Sequence, residues 1–529
     1  MSQSPLRRAV GLRKRGFEIM SNDILTKEWK QFKSGTDIRG VAMEAPGGEA
    51  VNLTDEAVYR MAMGFACWLN HRMKKDSFTV AVGHDSRLSA ERMKKQVIAA
   101  LTDAGFSVKD CGLSSTPAMF MTTVQLGCDA AVQITASHHP WQRNGLKFFT
   151  RGGGLEGADI EAILLYAQKE EKIPAAGPGS VEQVNFMNEY AASLRETICR
   201  GVNADDYERP LRGYHIVVDA GNGVGGFYAE KVLAPLGADI TGSQFLDPDG
   251  HFPNHIPNPE NEAAMQSICK AALANHADLG VIFDTDVDRA GCVDRNGNEI
   301  NRNRLVALAA CIALEGNEGG TIVTDSITSS GLKAFIEKDL GGKHHRFKRG
   351  YKNVIDEAQR LTAQGINTPL AIETSGHAAL RENYFLDDGA YLMTKIIVKM
   401  AQLGKSGKHL EDLIAMLEEP LESQEFRMPI ICEDFKAYGE SVIEKVAAYA
   451  KRQPAWQIAP DNHEGIRISF DRENGDGWFL LRLSVHDPMM PLNIESNSMG
   501  GVMMIAHQLY NVLKDCGELD VEPLKKFIE

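Results

Sequence analysis

The chain has 529 residues, a formal net charge of −14 at pH 7 and a hydrophobic fraction of 43%. That length predicts about three to four domains of ordinary size. The acidic balance argues against a nucleic-acid binder, and no apolar run reaches the ~18 residues that a membrane-spanning helix needs. An anionic substrate would therefore need a locally basic site.

Nine cysteines are spread along the chain without a CxxC pair or a zinc-ligand spacing. Several lie in apolar stretches, which is typical of reduced, buried thiols in a cytosolic protein. No apolar segment follows the basic N-terminus, so we do not expect a secretory signal. A transit peptide and an extended start are both left open, because Met20 could begin a complete protein. Residues 1–25 are predicted to be a disordered extension.

Three stretches share one pattern: an apolar strand, an aspartate, a helix and a glycine. They cover residues 78–112, 214–242 and 320–350. The glycine is typical of a helix end, so each stretch is a βαβ-type unit. This repetition predicts three related α/β domains.

After about residue 425 the pattern changes. IRISF (466–470) and GWFLLRLS (477–484) predict a hairpin, PLNIES (491–496) predicts a further strand, and two amphipathic helices flank them. We therefore predict three related α/β mixed-sheet domains and a smaller α+β C-terminal domain around a central cleft. The predicted domain bounds are 26–205, 206–308, 309–424 and 425–529.

Each α/β unit ends in a buried strand followed by a polar loop. AAVQI runs into TASHH, LGVIF runs into DTDVDR, and PLAI runs into ETSGH. Ligands in open α/β sheets bind outside the carboxyl ends of strands. If the three domains are equivalent, their three loops face one shared cleft.

The first loop places Ser137 beside His138 and His139, with Lys147 within one loop length. A hydroxyl, imidazoles and an ammonium close together suit nucleophilic chemistry on an anionic group. A simple polar turn after the strand is an equally good account of this stretch taken alone.

The second loop alternates Asp284, Asp286 and Asp288. Three such carboxylates repel one another unless a cation joins them, and hard oxygen ligands suit Mg²⁺. An EF-hand fits poorly, because Arg289 and Arg295 stand at its sixth and twelfth positions. The alternative is a solvated acidic turn.

The third loop offers Glu373, Ser375 and His377, which can bind sugar hydroxyls and handle protons near neutral pH. A polar strand end is the simpler account of this loop alone.

Two arginines are candidates for phosphate binding. Arg482 and Ser484 end the predicted hairpin, and a guanidinium fork with a hydroxyl suits a phosphate, although an exposed hairpin end is the alternative. Arg39 lies between Ile38 and Gly40 in a Gly-rich segment, which either presents the guanidinium or is a simple turn.

Together these motifs resemble the α-D-phosphohexomutase family, whose members include phosphoglucomutase and phosphomannomutase. TASHHPWQRNGLKF is similar to the family's phosphoserine loop, DTDVDR to its Mg²⁺ loop, ETSGH to its sugar-recognition loop and RLS to the start of its phosphate-binding loop. TDIRG, GHDSRLS and SSTP also match family patterns. The resemblance covers nearly the whole chain from about residue 30.

The resemblance implies a role for each candidate residue. Ser137 would be phosphorylated and would bind Mg²⁺ together with Asp284, Asp286 and Asp288. The remaining implied assignments are His138, Lys147 and Arg39 around the phosphate, Arg289 beside the metal loop, Glu373, Ser375 and His377 on the sugar, Arg482 and Ser484 on the substrate phosphate, and Lys352 on the substrate.

The implied activity is interconversion of hexose 1-phosphate and hexose 6-phosphate, of glucose, mannose or both. It would need Mg²⁺ and a hexose 1,6-bisphosphate as activator and intermediate. The implied protein is cytoplasmic, a monomer or a homodimer, and binds a phosphosugar but neither nucleic acid nor membrane.

Two departures from the family pattern concern substrate preference. Val485 and His486 stand where the phosphate loop usually has a small residue and Thr. Residues 346–354 match the family only around Gly350, so Tyr351 or Lys352 takes the place of a His or Lys in other members.

Two other functions remain open. VIFDTDV resembles the nucleophile motif of haloacid-dehalogenase hydrolases, which would make Asp284 the nucleophile of a sugar phosphatase. The altered loop after Arg482 would also fit a catalytically silent phosphosugar-binding relative.

Overall fold

The computed structural model describes residues 24–75, 77–173, 177–484 and 487–529. The chain divides into two compact units. Unit 1 contains the residues up to 301 with 375–378 and 386–408, and unit 2 contains 302–374, 379–385 and 409–529. Residues 1–23 of the predicted N-terminal extension lie outside the described residues, whereas Leu25 is buried in the first hydrophobic core.

The first sheet belongs to unit 1. Its strands are Lys33–Ser34 (β1), Asp37–Val41 (β2), Thr79–His84 (β3), Ser107–Leu113 (β4), Ala130–Ile134 (β5), Arg143–Thr150 (β6), Gly153–Gly154 (β7) and Ser180–Gln183 (β8). Their order is β1-β2-β6-β5-β3-β4-β8, and β7 pairs with β6. β3 runs parallel to β4 and β5, while β6 is antiparallel to β5. The sheet is therefore mixed, as predicted.

Helices pack on this sheet because their apolar faces meet its buried strands. They are Lys27–Lys30, Asp55–Met73, Ala90–Asp103, Thr116–Gln125 and Gly157–Gln168, whereas Phe186–Val202 packs mainly against helix Gly389–Gly404. Phe65 stacks on Phe148 with 4.5 Å between ring centroids, at the centre of the core. The Ser115 Oγ caps the N-terminus of helix Thr116–Gln125 by accepting a hydrogen bond from Ala118 N at 3.3 Å.

The second sheet also belongs to unit 1. Its strands are Ile216–Asp219 (β9), Leu279–Phe283 (β10), Ala290–Asp294 (β11) and Glu299–Ile300 (β12), in the order β12-β11-β10-β9. β10 is parallel to β9 and antiparallel to β11, with Phe283 opposite Ala290. The acidic loop 284–289 is thus the tight connection of a β-hairpin. Helix Glu262–Ala274 packs on this sheet.

One predicted helix takes a different form. Residues 227–236 were expected to be α-helical, but Tyr228–Leu233 is π-helical and Ala234–Leu236 is a 3₁₀ turn. Pro235 has no N–H to donate, so the regular helical ladder cannot continue through this turn. In the third βαβ-type stretch, residues 320–350, helix Ser330–Ala334 likewise continues as a π-helical segment, Phe335–Asp339.

The third sheet contains Thr321–Thr324 (β13), Lys343–Arg346 (β14), Leu370–Ile372 (β15), Ala378–Leu380 (β16) and Leu386–Asp387 (β17), in the order β14-β13-β15-β16-β17. β13 runs parallel to both β14 and β15. The helices of this region are Arg302–Leu314, Ser330–Ala334, Tyr351–Ala363, Gly389–Gly404 and Leu410–Leu413, with a 3₁₀ turn at Arg381–Asn383.

The fourth sheet belongs to unit 2. Its strands are Glu422–Pro429 (β18), Gln457–Ile458 (β19), Ile466–Ser469 (β20), Gly477–Leu481 (β21) and Met489–Ser496 (β22), in the order β18-β22-β21-β20-β19. All neighbours are antiparallel. The helices are Phe435–Ala450, Gly501–Leu513 and Glu522–Ile528, with a 3₁₀ turn at Arg472–Asn474. The predicted hairpin is confirmed, but its second strand ends at Leu481, before Arg482 and Ser484.

The predicted fold class, mixed α/β sheets followed by an α+β region, is confirmed. Of the predicted domain bounds, 308/309 falls inside helix Arg302–Leu314 and 424/425 falls inside β18. We propose that the third domain begins before Arg302 and the fourth at or before Glu422. Within the described ranges, none of the helices is long and apolar enough to cross a membrane.

Candidate active site

Ser137 lies in the loop after β5 and is 7% exposed. Its backbone is left-handed, with φ +48°. Its N–H donates to Thr135 Oγ1 at 2.9 Å, and that hydroxyl donates to Asp85 Oδ2 at 2.7 Å. The loop is thus held by a side-chain relay at the carboxyl end of the strand, where the sequence predicted it.

The acidic loop of the second sheet meets the Ser137 hydroxyl. Ser137 Oγ donates to Asp284 Oδ2 at 3.0 Å and accepts from Arg289 Nη2, also at 3.0 Å. Two segments about 150 residues apart therefore present a hydroxyl, a carboxylate and a guanidinium at one point. This arrangement suits a hydroxyl that receives or donates an anionic group.

The three carboxylates of the loop converge. One ligand oxygen from each of Asp284, Asp286 and Asp288 lies within 4.8 Å of the others, and all three residues are buried. Asp286 Oδ1 and Asp288 Oδ1 have no hydrogen-bond partner among the described residues. Buried carboxylate oxygens without partners are costly, and a hard divalent cation satisfies them. The donor set therefore fits Mg²⁺.

Cationic side chains balance part of this charge. Lys147 Nζ donates to Asp288 Oδ2 and lies 3.6 Å from Asp286 Oδ2, while Arg289 Nε donates to Asp284 Oδ2 at 3.1 Å. Burial, reinforced by Asp288, raises the pKa of Asp284 well above its ordinary value. Burial also opposes ionisation of Asp288, but the Lys147, His377 and Arg289 cations together outweigh it and hold the pKa of Asp288 below its usual range.

The two histidines beside Ser137 are neutral at neutral pH. Burial and the Arg289 cation lower the pKa of His138 to about 2, and burial with Arg39 lowers the pKa of His139 to about 3. His138 Nδ1 lies 3.4 Å from Ser137 Oγ and accepts from Arg289 Nη2. Arg39 donates to the Thr135 carbonyl and pairs with Asp37 at 2.7 Å. Its hydrogen bonds thus support the loop and do not reach Ser137 Oγ.

Part of the predicted sugar-recognition loop lies beside the acidic loop. His377 and Arg289 form an antiparallel backbone bridge, and Ser375 is buried. His377 Nδ1 contacts Asp387 Oδ2 at 2.6 Å. Burial disfavours the imidazolium, but the Asp387 carboxylate outweighs it and raises the pKa of His377 to about 9. His377 is therefore a cationic donor at neutral pH.

The remaining predicted residues belong to unit 2. Glu373 Oε1 accepts from Gly350 N at 2.6 Å, and Lys352 Nζ pairs with Asp356 on its own helix at 2.9 Å. Arg482 Nη1 lies 3.9 Å from Glu464 Oε1, and burial lowers the pKa of Arg482. Ser484 Oγ accepts from Asp487 N at 3.3 Å. Val485 and His486 lie outside the described residues.

Several residues of this site were not assigned from the sequence. Arg87 and Asp85 hold the Ser137 loop, Thr116 Oγ1 donates to Asp286 Oδ2, and Asp387 contacts His377. The GHDSR and SSTP stretches, which contain Asp85, Arg87 and Thr116, were visible as motifs, whereas the stretch around Asp387 was not singled out. Their roles depend on contacts with backbone atoms and with distant loops, which sequence spacing does not display.

Comparison with known proteins identifies related domains along the chain. The sequence profiles of phosphoglucomutase/phosphomannomutase alpha/beta/alpha domains I, II and III match residues 30–173, 188–297 and 301–420, respectively. A phosphoglucomutase of Neisseria gonorrhoeae is 30% identical over 479 residues, which cover 90% of this chain and 95% of the relative. A phosphomannomutase/phosphoglucomutase of Pseudomonas aeruginosa is 29% identical over 485 residues, which cover 90% of this chain and 94% of the relative.

Among solved structures, a phosphoglucomutase/phosphomannomutase family protein from Burkholderia thailandensis is similar to this chain. The TM-score is 0.76 at 26% identity, and the match covers 94% of this chain and 100% of the other.

Proposed function

Because the chain belongs to the phosphoglucomutase/phosphomannomutase family, also called the α-D-phosphohexomutases, we propose that it interconverts hexose 1-phosphate and hexose 6-phosphate through a phosphoserine at Ser137. Its relatives are phosphotransferases of the isomerase class. The substrate would be a phosphate ester of glucose, of mannose or of both sugars. The observation that carries the proposal is the double contact of Ser137 Oγ with Asp284 and Arg289, each at 3.0 Å.

Asp284, Asp286 and Asp288 would hold Mg²⁺ together with an oxygen of the phosphate on Ser137. Bound Mg²⁺ would neutralise charge on the transferring phosphoryl group. The unpartnered buried oxygens of Asp286 and Asp288 support this assignment. Phosphoryl transfer depends on positioning and charge neutralisation more than on covalent chemistry, and this site is built for both.

In the proposed reaction, the bond between Ser137 Oγ and phosphorus breaks while a free hydroxyl of the hexose monophosphate bonds to the same phosphorus, and the proton of that hydroxyl ends on Ser137 Oγ. The resulting hexose 1,6-bisphosphate turns over and returns its other phosphoryl group to Ser137. Arg289 and Lys147 would offset the negative charge of the transition state. Neutral His138 would accept from Arg289 and keep that guanidinium directed at Ser137.

The proposed sugar contacts follow the family resemblance. Ser375, protonated His377 and Glu373 would bind sugar hydroxyls. Arg482 and Ser484 would hold the phosphate that is not reacting, with Lys352 as a further cation. Arg482 is the strongest of these candidates, since its side chain is 11% exposed and its Nε has no hydrogen-bond partner among the described residues.

Substitution of Ser137 tests the proposal. We expect Ser137→Ala to lower hexose-1-phosphate conversion on the order of 10³-fold or more, because no other hydroxyl replaces the phosphoryl carrier. Ser193→Ala, which removes a hydroxyl that bonds only within its own helix, is the matched control and should keep normal turnover. Undiminished conversion by Ser137→Ala would refute the assignment.

The same assay separates a phosphatase. An aspartate nucleophile would release inorganic phosphate in a reaction that Asp284→Asn abolishes and Ser137→Ala leaves intact. Asp284 Oδ2 already accepts from Ser137 and Arg289, which counts against it as a free nucleophile. Binding of phosphosugar without conversion would instead identify a catalytically silent relative.

We also propose that the enzyme acts in the cytoplasm as a monomer or a homodimer. All nine cysteines are free, and seven of them are buried. Burial raises the pKa of the Cys67 and Cys111 thiols to about 12. Such protonated, buried thiols fit a reducing compartment.

A further inference from the structure

Arg87 lies in the turn between β3 and helix Ala90–Asp103, and its side chain is 0% exposed. Its guanidinium donates hydrogen bonds to four backbone carbonyls of the Ser137 loop. Nη2 donates to the carbonyls of Ser137 and His139, the latter at 2.6 Å, and Nη1 donates to those of Pro140 and Arg143 at 2.8 and 2.9 Å.

These contacts use every proton on the two terminal nitrogens of the guanidinium. None of these four protons is left for a phosphate group, and the remaining Nε lies 3.3 Å from Asp85 Oδ2, so Arg87 does not act as a phosphate ligand in this arrangement. Its effect on Ser137 therefore passes through the backbone of the loop.

Asp85 completes the support. Its Oδ2 lies 3.3 Å from Arg87 Nε and accepts from Thr135 Oγ1, while its Oδ1 accepts from Arg87 N at 2.9 Å. Thr135 Oγ1 in turn accepts from Ser137 N. The N–H and the carbonyl of Ser137 are thus tied to the same buried Asp85–Arg87 pair. This double tie explains how a serine is kept in the left-handed region.

The Asp85–Arg87 pair is also covered by the segment of unit 1 between β9 and β10. The Phe252 ring centroid lies 5.3 Å from Arg87 Cζ. Gly250 approaches the same turn so closely that an added Cβ would lie 2.5 Å from Leu88 N and Ser86 O. Water therefore has little access to the guanidinium and its carbonyl partners, which strengthens their hydrogen bonds.

We propose that Arg87 is a positioning residue that holds the phosphoserine loop so that Ser137 Oγ stays between Asp284 and Arg289. This inference rests on the proposed function of Ser137. Lysine carries its charge at one point and offers three donors, so it cannot span four carbonyls as the guanidinium does. Charge alone will therefore not replace Arg87.

The test compares Arg87→Lys with wild type and with Arg92→Lys. Arg92 is the matched control because it also donates to two backbone carbonyls, those of Ala42 and Leu53, at 2.9 Å each and pairs with Asp55. Each protein is loaded with hexose 1,6-bisphosphate and Mg²⁺, and the phosphoserine is followed by ³¹P NMR. Turnover is expressed per folded molecule, as measured by circular dichroism.

We expect Arg87→Lys to lower kcat on the order of 100-fold with KM nearly unchanged, since a displaced nucleophile costs about that much. Its phosphoserine ³¹P resonance should shift, whereas Arg92→Lys should match wild type in both readouts. Wild-type kcat and an unshifted resonance in Arg87→Lys would overturn the inference. Wild-type protein that takes up no phosphate on Ser137 would instead refute the proposed function.

If Arg87→Lys does not fold, Thr135→Val decides the question. It removes the hydroxyl between Asp85 and Ser137 N while keeping the shape and the charge of the loop. We expect a lower kcat and a shifted phosphoserine resonance. Wild-type values for both would contradict a positioning role of the network.

Discussion

Val287 stands between two of the acidic residues with a left-handed backbone, φ +68°, and a fully buried side chain. A β-branched residue rarely adopts this conformation, which costs about 1–3 kcal/mol. The turn allows Asp286 and Asp288 to direct oxygens to one point. The Val287 carbonyl accepts from Gly389 N at 3.1 Å, so neighbouring structure maintains the strained turn.

Relief of this strain can be measured. We expect both Val287→Gly and Val293→Gly to lower the free energy of unfolding. The loss should be about 1–3 kcal/mol smaller for Val287→Gly, because glycine accepts the left-handed backbone. Val293 is equally buried, in β11, and its φ is not positive. Urea unfolding of both variants gives the comparison, and equal losses would contradict strain at Val287.

At the scale of elements, the strands that carry the site were predictable. β5 and β10 match the predicted runs AAVQI and LGVIF residue for residue, because each is a short apolar run that ends at polar residues. The π-helical form of Tyr228–Leu233 was not predictable. Residue propensities distinguish a helix from a strand, whereas the helical form depends on tertiary packing and on the proline that follows.

The contact between helix Gly389–Gly404 and the acidic loop gives a second prediction. A Cβ on Gly389 would lie 2.7 Å from Arg289 C and 2.9 Å from Arg289 O, so Gly389→Ala should displace the loop. We expect Mg²⁺ alone to raise the melting temperature of wild type and not that of Gly389→Ala, because displaced carboxylates bind the cation weakly.

Gly517→Ala is the control for this experiment, since no atom lies within 4 Å of its added Cβ. It should keep the full magnesium-dependent rise. If Gly389→Ala keeps the same rise in melting temperature, the N-terminal end of helix Gly389–Gly404 does not support the acidic loop.

At the scale of the whole molecule, the described residues divide into two compact units, a grouping that sequence patterns do not contain. Unit 2 joins the third and fourth sheets through buried polar contacts. Arg467 Nη1 donates to the Ser326 carbonyl at 2.9 Å, Ser326 Oγ donates to Glu464 Oε2 at 2.6 Å, and Arg346 pairs with Asp461 at 2.9 Å. Such pairings join side chains more than 100 residues apart, so local periodicity cannot predict them.

The same unit contains a carboxyl group whose ionisation depends on folding. Burial raises the pKa of Glu495 from 4.5 to about 7, although Arg467 opposes the shift. Glu495 Oε2 accepts from Trp478 Nε1 at 3.1 Å. Between pH 4.5 and 7 the folded protein keeps a proton that the unfolded chain releases, so the free energy of unfolding falls as pH rises through this window.

Glu495→Gln should remove this part of the pH dependence, up to about 3 kcal/mol between the two ends of the window. Glu440→Gln, an exposed position on helix Phe435–Ala450, should leave the dependence as in wild type. Chemical denaturation from pH 4.5 to 8 measures all three proteins. An unchanged slope in Glu495→Gln would show that Glu495 does not keep its proton on folding.

The central claim is that Ser137 carries the phosphoryl group, and peptide mapping by mass spectrometry tests it most directly. The full chain is incubated with hexose 1,6-bisphosphate and Mg²⁺, digested and mapped before and after a chase with hexose 1-phosphate. We expect one phosphoryl group on Ser137. When it is loaded from bisphosphate labelled with ¹⁸O, the label should leave Ser137 in the chase, because each turnover replaces that phosphoryl group with one from the substrate. A phosphoryl group on Asp284, or none on Ser137 in protein that still converts the substrate, would contradict the account.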